Sequence, residues 1–200
     1  MRIDIMLNDE LRNLFKGREK DKHPKWNKFP ITGKKFIKEI NNLNCNLVLD
    51  LGCGQNPYKG RINNLIGIDI LDNVLNDPLF YQDLYCDIKN LPFKDNVADI
   101  VIAFGSINFG GDEVIDSQLR EAIRVLKEGG RFYFRGIPKF DHKLYYGWTI
   151  EKLIEKTEKF NLEFFIEPQI IYKTYRKKEF SGDISFGHRT NERIYCAWIK

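Results

Sequence analysis

Two glycines and three aspartates carry most of the readable chemistry in this chain of 200 residues. Asp50-Leu51-Gly52-Cys53-Gly54-Gln55-Asn56-Pro57 follows a short apolar run, and glycine there lets the backbone turn sharply and approach a ligand without a Cβ in the way. A dinucleotide fingerprint needs a further glycine where Pro57 stands, and a phosphate loop needs Gly-Lys-Ser/Thr, which does not follow Gly54. Asp69 closes a second apolar run, where a carboxylate can accept bonds from both hydroxyls of a ribose. Asp87 comes after a third, placed to accept an amino proton from adenine while Ile88 packs against the ring. Asp50, just under the glycine loop, can face a cationic group. Any one of these aspartates alone reads as a solvated cap or turn residue. Three at successive strand ends, with no phosphate loop, suit a nucleoside with a positive centre.

The elements that must position them follow from periodicity. Phe36, Ile37, Ile40 and Leu43 recur at helical spacing from Thr32 onward. Residues 46–51 and 65–70 are short, nearly continuous apolar runs of the kind buried on both faces of a parallel sheet. Residues 84–86 give a weak third strand, 98–104 a strong fourth and 131–137 a fifth. Between the last two, Asp112 to Leu126 is amphipathic, with Ile115, Leu119, Ala122, Ile123 and Leu126 on one face and Gly129-Gly130 as its stop. Thr149 can cap a helix with Ile150, Leu153, Ile154, Thr157 and Phe160 inward. Residues 162–172 and 193–199 are the last strand candidates. Strands alternating with helices predict an α/β fold whose loops at the strand carboxyl ends hold the ligand. Only residues 55–64 separate the glycine loop from the second strand, so at most one turn of helix is expected there.

Composition narrows the class. A hydrophobic share of 42% and fifteen Phe exclude a chain that is mainly disordered. No stretch approaches the roughly 20 apolar residues of a membrane span, and the N-terminus is charged where a signal peptide needs an apolar run. Cys45, Cys53, Cys86 and Cys196 form no Cys-x-x-Cys pair, so reduced thiols in a cytoplasmic protein, without a metal, are expected. The net charge is +4, with basic ends flanking an acidic middle. Residues 1–31 read as a basic N-terminal extension and 32–200 as a single domain.

The motifs VLDLGCG (48–54), IGID (66–69), CDIKNLPFKDNVADIVIAF (86–104) and EAIRVLKEGGRFYF (121–134) together resemble the class I S-adenosylmethionine-dependent methyltransferases. Residues 103–110 and 191–198 look like small methyltransferases of phage and bacterial genomes. The resemblance implies a Rossmann-like, doubly wound, mostly parallel seven-stranded sheet with a C-terminal antiparallel strand. It implies S-adenosylmethionine as cofactor. Gly52, Cys53 and Gly54 would line its methionine and ribose portion with Asp50 beneath, Asp69 would hold the ribose and Ile70 would flank adenine. Asp87 and Ile88 would read the adenine edge and face, and Phe104 and Gly105 would pass close to the sulfonium. The family's usual third glycine is Asn56 here.

The implied reaction is an in-line methyl transfer to an unidentified small molecule or terminal group. On the acceptor side stand Ser106, Asn108 and Phe109 after the fourth strand, and Arg135, Asp141, His142, Tyr145, Tyr146 and Trp148 in and after the fifth. His142 is the best base candidate because imidazole titrates near neutral pH, with Asp141 to orient it; an exposed loop histidine fits equally well. For Tyr145 and Tyr146 a core role is favoured. Lys173-Thr-Tyr-Arg-Lys-Lys178 mixes charge with an aromatic as single-stranded nucleic-acid sites do, which makes RNA an alternative acceptor. A non-catalytic scaffold or sensor that binds the cofactor is the alternative from another class.

Overall fold

The computed structural model describes residues 33–54, 56–70, 82–138, 144–172 and 192–200. Its elements run α1 (Lys34–Asn42), β1 (Val48–Leu51), β2 (Leu65–Asp69), β3 (Leu84–Tyr85), a 3₁₀ turn (Ile88–Asn90), β4 (Ala98–Phe104), α2 (Asp112–Val125), β5 (Leu126–Gly136), α3 (Ile150–Lys159), β6 (Glu163–Tyr172) and β7 (Glu192–Ile199). The expected 1–31 extension lies outside the described residues.

All seven strands join one sheet in the order β3-β2-β1-β4-β5-β7-β6. The β1–β2, β1–β4, β2–β3 and β4–β5 pairs are parallel, and β7 runs antiparallel to both β5 and β6. The order reverses at β1, between β2 and β4, which is where an open α/β sheet leaves a crevice for ligands.

Alternation along the strands supplies two cores. Leu49, Leu51, Ile68, Val101, Ala103, Phe132, Phe134 and Trp198 face α2 and α3, meeting Ile115, Leu119, Ala122 and Leu153. Val48, Ile100, Ile102, Tyr133, Tyr195 and Ala197 point the other way, against Phe36 and Ile40 of α1 and Tyr58 and Ile62 of the following turns. Every residue of β1 is buried, as its continuous apolar run requires.

Two boundaries differ from the sequence reading. Helix α2 does not run to the glycines: Leu126 is already extended, and β5 starts there and contains both. The register jumps from Ala98↔Leu126 to Ile100↔Arg131, so 127–130 form a bulge in which Gly129 adopts φ +73°. On α3, Thr149 caps as expected by accepting from the Lys152 amide (3.2 Å), but Ile154 is exposed and Lys156 takes an inward position. Residues 56–62 form successive turns, not a helix, as the short spacing predicted.

Candidate functional site

The glycine loop begins as a continuation of the sheet. The Gly52 and Cys53 amides both donate to the Ile68 carbonyl (2.7 and 2.9 Å), which locks the end of β1 to β2. Gly52 then turns at φ +67°, and a Cβ there would overlap the Ser106 side chain, so the β1 and β4 loops touch only because residue 52 is glycine. Among the described residues, nothing lies within 4 Å of where a Gly54 Cβ (φ +54°) would stand. Its amide donates to Asp69 Oδ2 at 2.8 Å, so the β2 carboxylate holds the turn.

Asn56 stands where the family's third glycine is usual, and the backbone is still left-handed (φ +49°), a conformation asparagine tolerates better than most residues. Its side chain fills the notch over Gly67 and its Nδ2 donates to Asp83 Oδ2 (3.2 Å). Asp83 Oδ2 also takes the Gly67 amide (2.8 Å), and Asp83 Oδ1 pairs with Lys59 Nζ. Burial works against Asp83's charge, but bonds from Lys59, Gly67 and Asn56 outweigh it and hold the carboxyl below its ordinary range. Side chains thus fasten the turns where a longer loop would use a helix. The sequence reading missed Asp83, because nothing local marks a residue whose partners lie in the glycine turns.

Asp50 is 3% exposed on the α1 face of the sheet. Burial, followed by the like charge of Asp69, pushes its carboxyl up to about 7, against the pull of Arg135. Burial and then the negative charges of Asp50, Asp69 and Asp83 push the Cys53 thiol well above its ordinary range, which keeps it neutral. Ile70 is half-buried at the β2 end. Asp87 Oδ1 takes the Lys89 amide (2.9 Å) and caps the 3₁₀ turn, with Lys89 Nζ 3.5 Å from Oδ2. Ile88 is buried in the α2-side core, where the sequence placed it against a ligand ring. Glu121 and Arg124 of α2 hold this region. Arg124 Nη2 donates to the Leu91 carbonyl (3.0 Å) and Nη1 to the Phe93 carbonyl (2.8 Å), while Glu121 accepts the Leu91 amide (2.9 Å).

After β4, Phe104 joins the aromatic cluster of Phe36, Tyr58 and Tyr195, at ring distances of 5.4, 6.3 and 6.2 Å. Among the described residues beyond its chain neighbours, none comes closer than 4.0 Å to the Cβ position of Gly105 (φ +96°). Ser106 Oγ is buried with no hydrogen-bond partner among the described residues, and so is Asn108 Nδ2. Phe109 meets the Tyr145 ring at a tilt of 49°, with 4.8 Å between ring centres. Tyr146 is a core residue whose Oη donates to Asp112 (2.6 Å). Trp148 corrects the acceptor-side expectation. It is fully buried against Phe134, and its Nε1 donates to the Ile107 carbonyl (2.7 Å), leaving no surface for a ligand. Asp141 and His142 lie outside the described residues. The structure therefore brings Asp50, Gly52, Cys53, Gly54, Asp69, Gly105, Ser106, Asn108 and Arg135 to one end of the sheet, while Trp148 and the Ile88 side chain go to the core.

A mostly parallel seven-stranded sheet with a glycine turn and carboxylates at its switch point defines a class I S-adenosylmethionine-dependent methyltransferase. The chain belongs to the family described as hypothetical methyltransferases, which it matches over residues 5–176. It is 32% identical over 116 residues to an uncharacterized protein, MJ1252, of Methanocaldococcus jannaschii (54% of this chain, 42% of that one). It is also 32% identical over 130 residues to the ubiquinone/menaquinone biosynthesis C-methyltransferase UbiE of Pseudomonas putida (56% and 50%). The matches thus span half or less of these relatives' length. A Burkholderia thailandensis 1,6-didemethyltoxoflavin-N1-methyltransferase, solved with 1,6-didemethyltoxoflavin and S-adenosylhomocysteine, shares the fold at a TM-score of 0.68 and 11% identity, covering 100% of this chain and 89% of that one. S-adenosylmethionine is the methyl donor of this class. The residues present fit it: carboxylates at two strand ends, no phosphate loop, open space over Gly54 and Gly105, and polar atoms on Ser106 and Asn108 that have no partner among the described residues.

Proposed function

We propose that this chain transfers a methyl group from S-adenosylmethionine to a small molecule or a terminal group of a larger one, by in-line displacement. The bond from the Gly54 amide to Asp69 carries the reading, because it makes one cradle of the glycine turn and the β2 carboxylate at the switch point. Bound there, the donor would supply an electrophilic methyl group on a sulfonium, whose sulfur leaves as a neutral thioether.

The chain's own work is positioning. Asp69 holds the ribose, Asp87 the adenine edge and Asp50 the ammonium group, while Ser106 and Phe109 border the acceptor. Holding nucleophile and methyl carbon about 3–3.5 Å apart and aligned accounts for most of the acceleration such a site can give. His142, oriented by Asp141, takes a proton where the acceptor must lose one. The likeness to an enzyme solved with a small heterocycle supports a small acceptor. Residues 32–200 act as one domain. No helix among the described residues is long and apolar enough to cross a membrane, and the four cysteines are free thiols, which suits the reducing cytoplasm.

Incubation of the full chain with labelled donor and cell extract tests this. Incorporation is expected, and is expected to vanish in Gly54→Arg, whose side chain would fill the open space over the turn. Cofactor binding with no incorporation in any extract would favour a scaffold. Label in RNA, with binding that weakens steeply as salt rises, would shift the acceptor to nucleic acid.

A further inference from the structure

Asp87 is tied to its own turn, and that turn is tied to α2. Asp87 Oδ1 takes the Lys89 amide (2.9 Å) and its carbonyl takes the Asn90 amide (3.0 Å), so the 3₁₀ turn sets the conformation of the residue. The turn ends at Leu91, which is buried, and α2 grips both sides of it. Glu121 Oε2 accepts the Leu91 amide (2.9 Å) and Arg124 Nη2 donates to the Leu91 carbonyl (3.0 Å). Arg124 Nη1 donates to the Phe93 carbonyl (2.8 Å) and to Asp95 Oδ1 (2.7 Å), so one guanidinium spans the loop from Leu91 to Asp95. The two grips lock each other: Arg124 Nε and Nη2 meet Glu121 Oε1 and Oε2 at 2.7 and 2.8 Å. The bonds from Arg124 hold the Glu121 carboxyl below its ordinary range, which keeps the pair ionised.

Ile88 and Leu91 already anchor this loop through apolar contacts in the α2-side core. What the ionic pair adds is direction, because a planar fork with all three nitrogens engaged fixes the orientation of the peptide it holds. Asp87 Oδ2 makes the longer contact, 3.5 Å to Lys89 Nζ, and is the oxygen left to accept an N–H. We propose that Glu121 and Arg124 are positioning residues for base selectivity: by fixing the Leu91 peptide they aim Asp87 Oδ2 at the exocyclic amine of the donor's adenine. This rests on the methyltransferase reading. It extends the donor site to two side chains of α2 that reach the base only through the loop, as a binding carboxylate needs support to keep its geometry.

The test is calorimetric titration of the full chain with S-adenosylhomocysteine and with its 6-deamino analogue, in which purine replaces adenine. In the wild type, loss of the amine is expected to weaken binding about 10- to 100-fold, the range for a hydrogen bond to a charged group. Asp87→Ala removes the acceptor, and there the two ligands should bind within about 3-fold of each other. Arg124→Lys keeps the charge and the stem but has one nitrogen where the clamp uses three. Its ratio is expected to fall at least about 5-fold, toward the Asp87→Ala value. Glu121→Gln, with one oxygen where the clamp uses two, should do the same and serves if Arg124→Lys fails to fold. A merely structural role would lower the thermal midpoint of the variants and leave the ratio at its wild-type value, since loss of folded protein affects both ligands alike. That result overturns the assignment, and so does a wild type indifferent to the amine. Failure of both ligands to bind the wild type sinks the methyltransferase reading, and this one with it.

Discussion

At residue scale, Asp50 shows how the site trades stability for recognition. Its folded carboxyl is raised from 3.8 to about 7 by burial and then by Asp69. A group that binds its proton more tightly when folded favours the fold below its unfolded value, and that contribution is lost as pH rises toward 7. Asp50→Asn should therefore raise the thermal midpoint of the ligand-free protein at pH 8, read by calorimetry. The same change should weaken S-adenosylhomocysteine at least about 10-fold, since an ionised carboxylate facing an ammonium has gone. Wild-type affinity should climb as pH rises through 7, and the variant should lose that climb.

Gly52 makes a second residue-scale prediction. Gly52→Ala places a methyl group into the Ser106 side chain at φ +67°, a cost of about 2–4 kcal/mol in denaturant unfolding. Adding Ser106→Gly should recover the steric part and leave the backbone strain, so the two changes will not be additive. Gly52, Gly54 and Asp69 were legible because each sits beside an apolar run that ends abruptly. The role of Asn56 was not: the sequence shows only a missing glycine, and the partners that explain it, Gly67 and Asp83, are fixed by folding.

At the scale of elements, α2 and α3 are joined by charges that periodicity could not reveal. Lys156 is 2% exposed, and its Nζ lies 2.8 Å from Asp112 and 2.9 Å from Asp116, while Lys159 takes the other Asp116 oxygen (2.6 Å). Its place three residues after Leu153, on the inward face, was the available signal, but a lysine there reads as polar until its partners are known. Lys156→Ala should cost about 2–4 kcal/mol, because it empties a buried position and leaves Asp116 with Lys159 alone, whereas Lys156→Met, which keeps the volume, should cost less. Bonds from Lys156 and then Tyr146 hold Asp112 low. Asp116 is likewise low, because its bonds to Lys159 and Lys156 outweigh burial. The stability these carboxylates lend is present above the unfolded value of 3.8 and is lost as pH falls through their lowered folded values, so acid should part the helices. Urea midpoints measured from pH 7 down to about 3 would show this loss, which Asp50 opposes.

For the whole molecule, a mostly parallel seven-stranded sheet with a C-terminal antiparallel strand was implied by resemblance, and the two-sided burial was readable in the apolar runs. The last strands were the harder part, since sequence gives their length but not their neighbours. β7 inserts between β5 and β6, and brings Trp198 between Phe132 (5.2 Å) and Phe134 (5.4 Å), with its Nε1 donating to Thr157 (2.7 Å). Trp198→Ala should cost about 3–5 kcal/mol, as large-to-small changes in a packed core do. It should loosen α3 and the sheet together in hydrogen exchange, because one indole serves both.

The run of turns at 56–62, held by Asp83 through Asn56 and Lys59, has a consequence for competing metabolites. Because the described residues here form turns and no helix, and the charges of Asp50, Asp69 and Asp83 surround Cys53, AMP is expected to bind more weakly than adenosine in calorimetric titration. Adenosine compounds that carry no phosphate would then meet little competition from the abundant nucleotides around them.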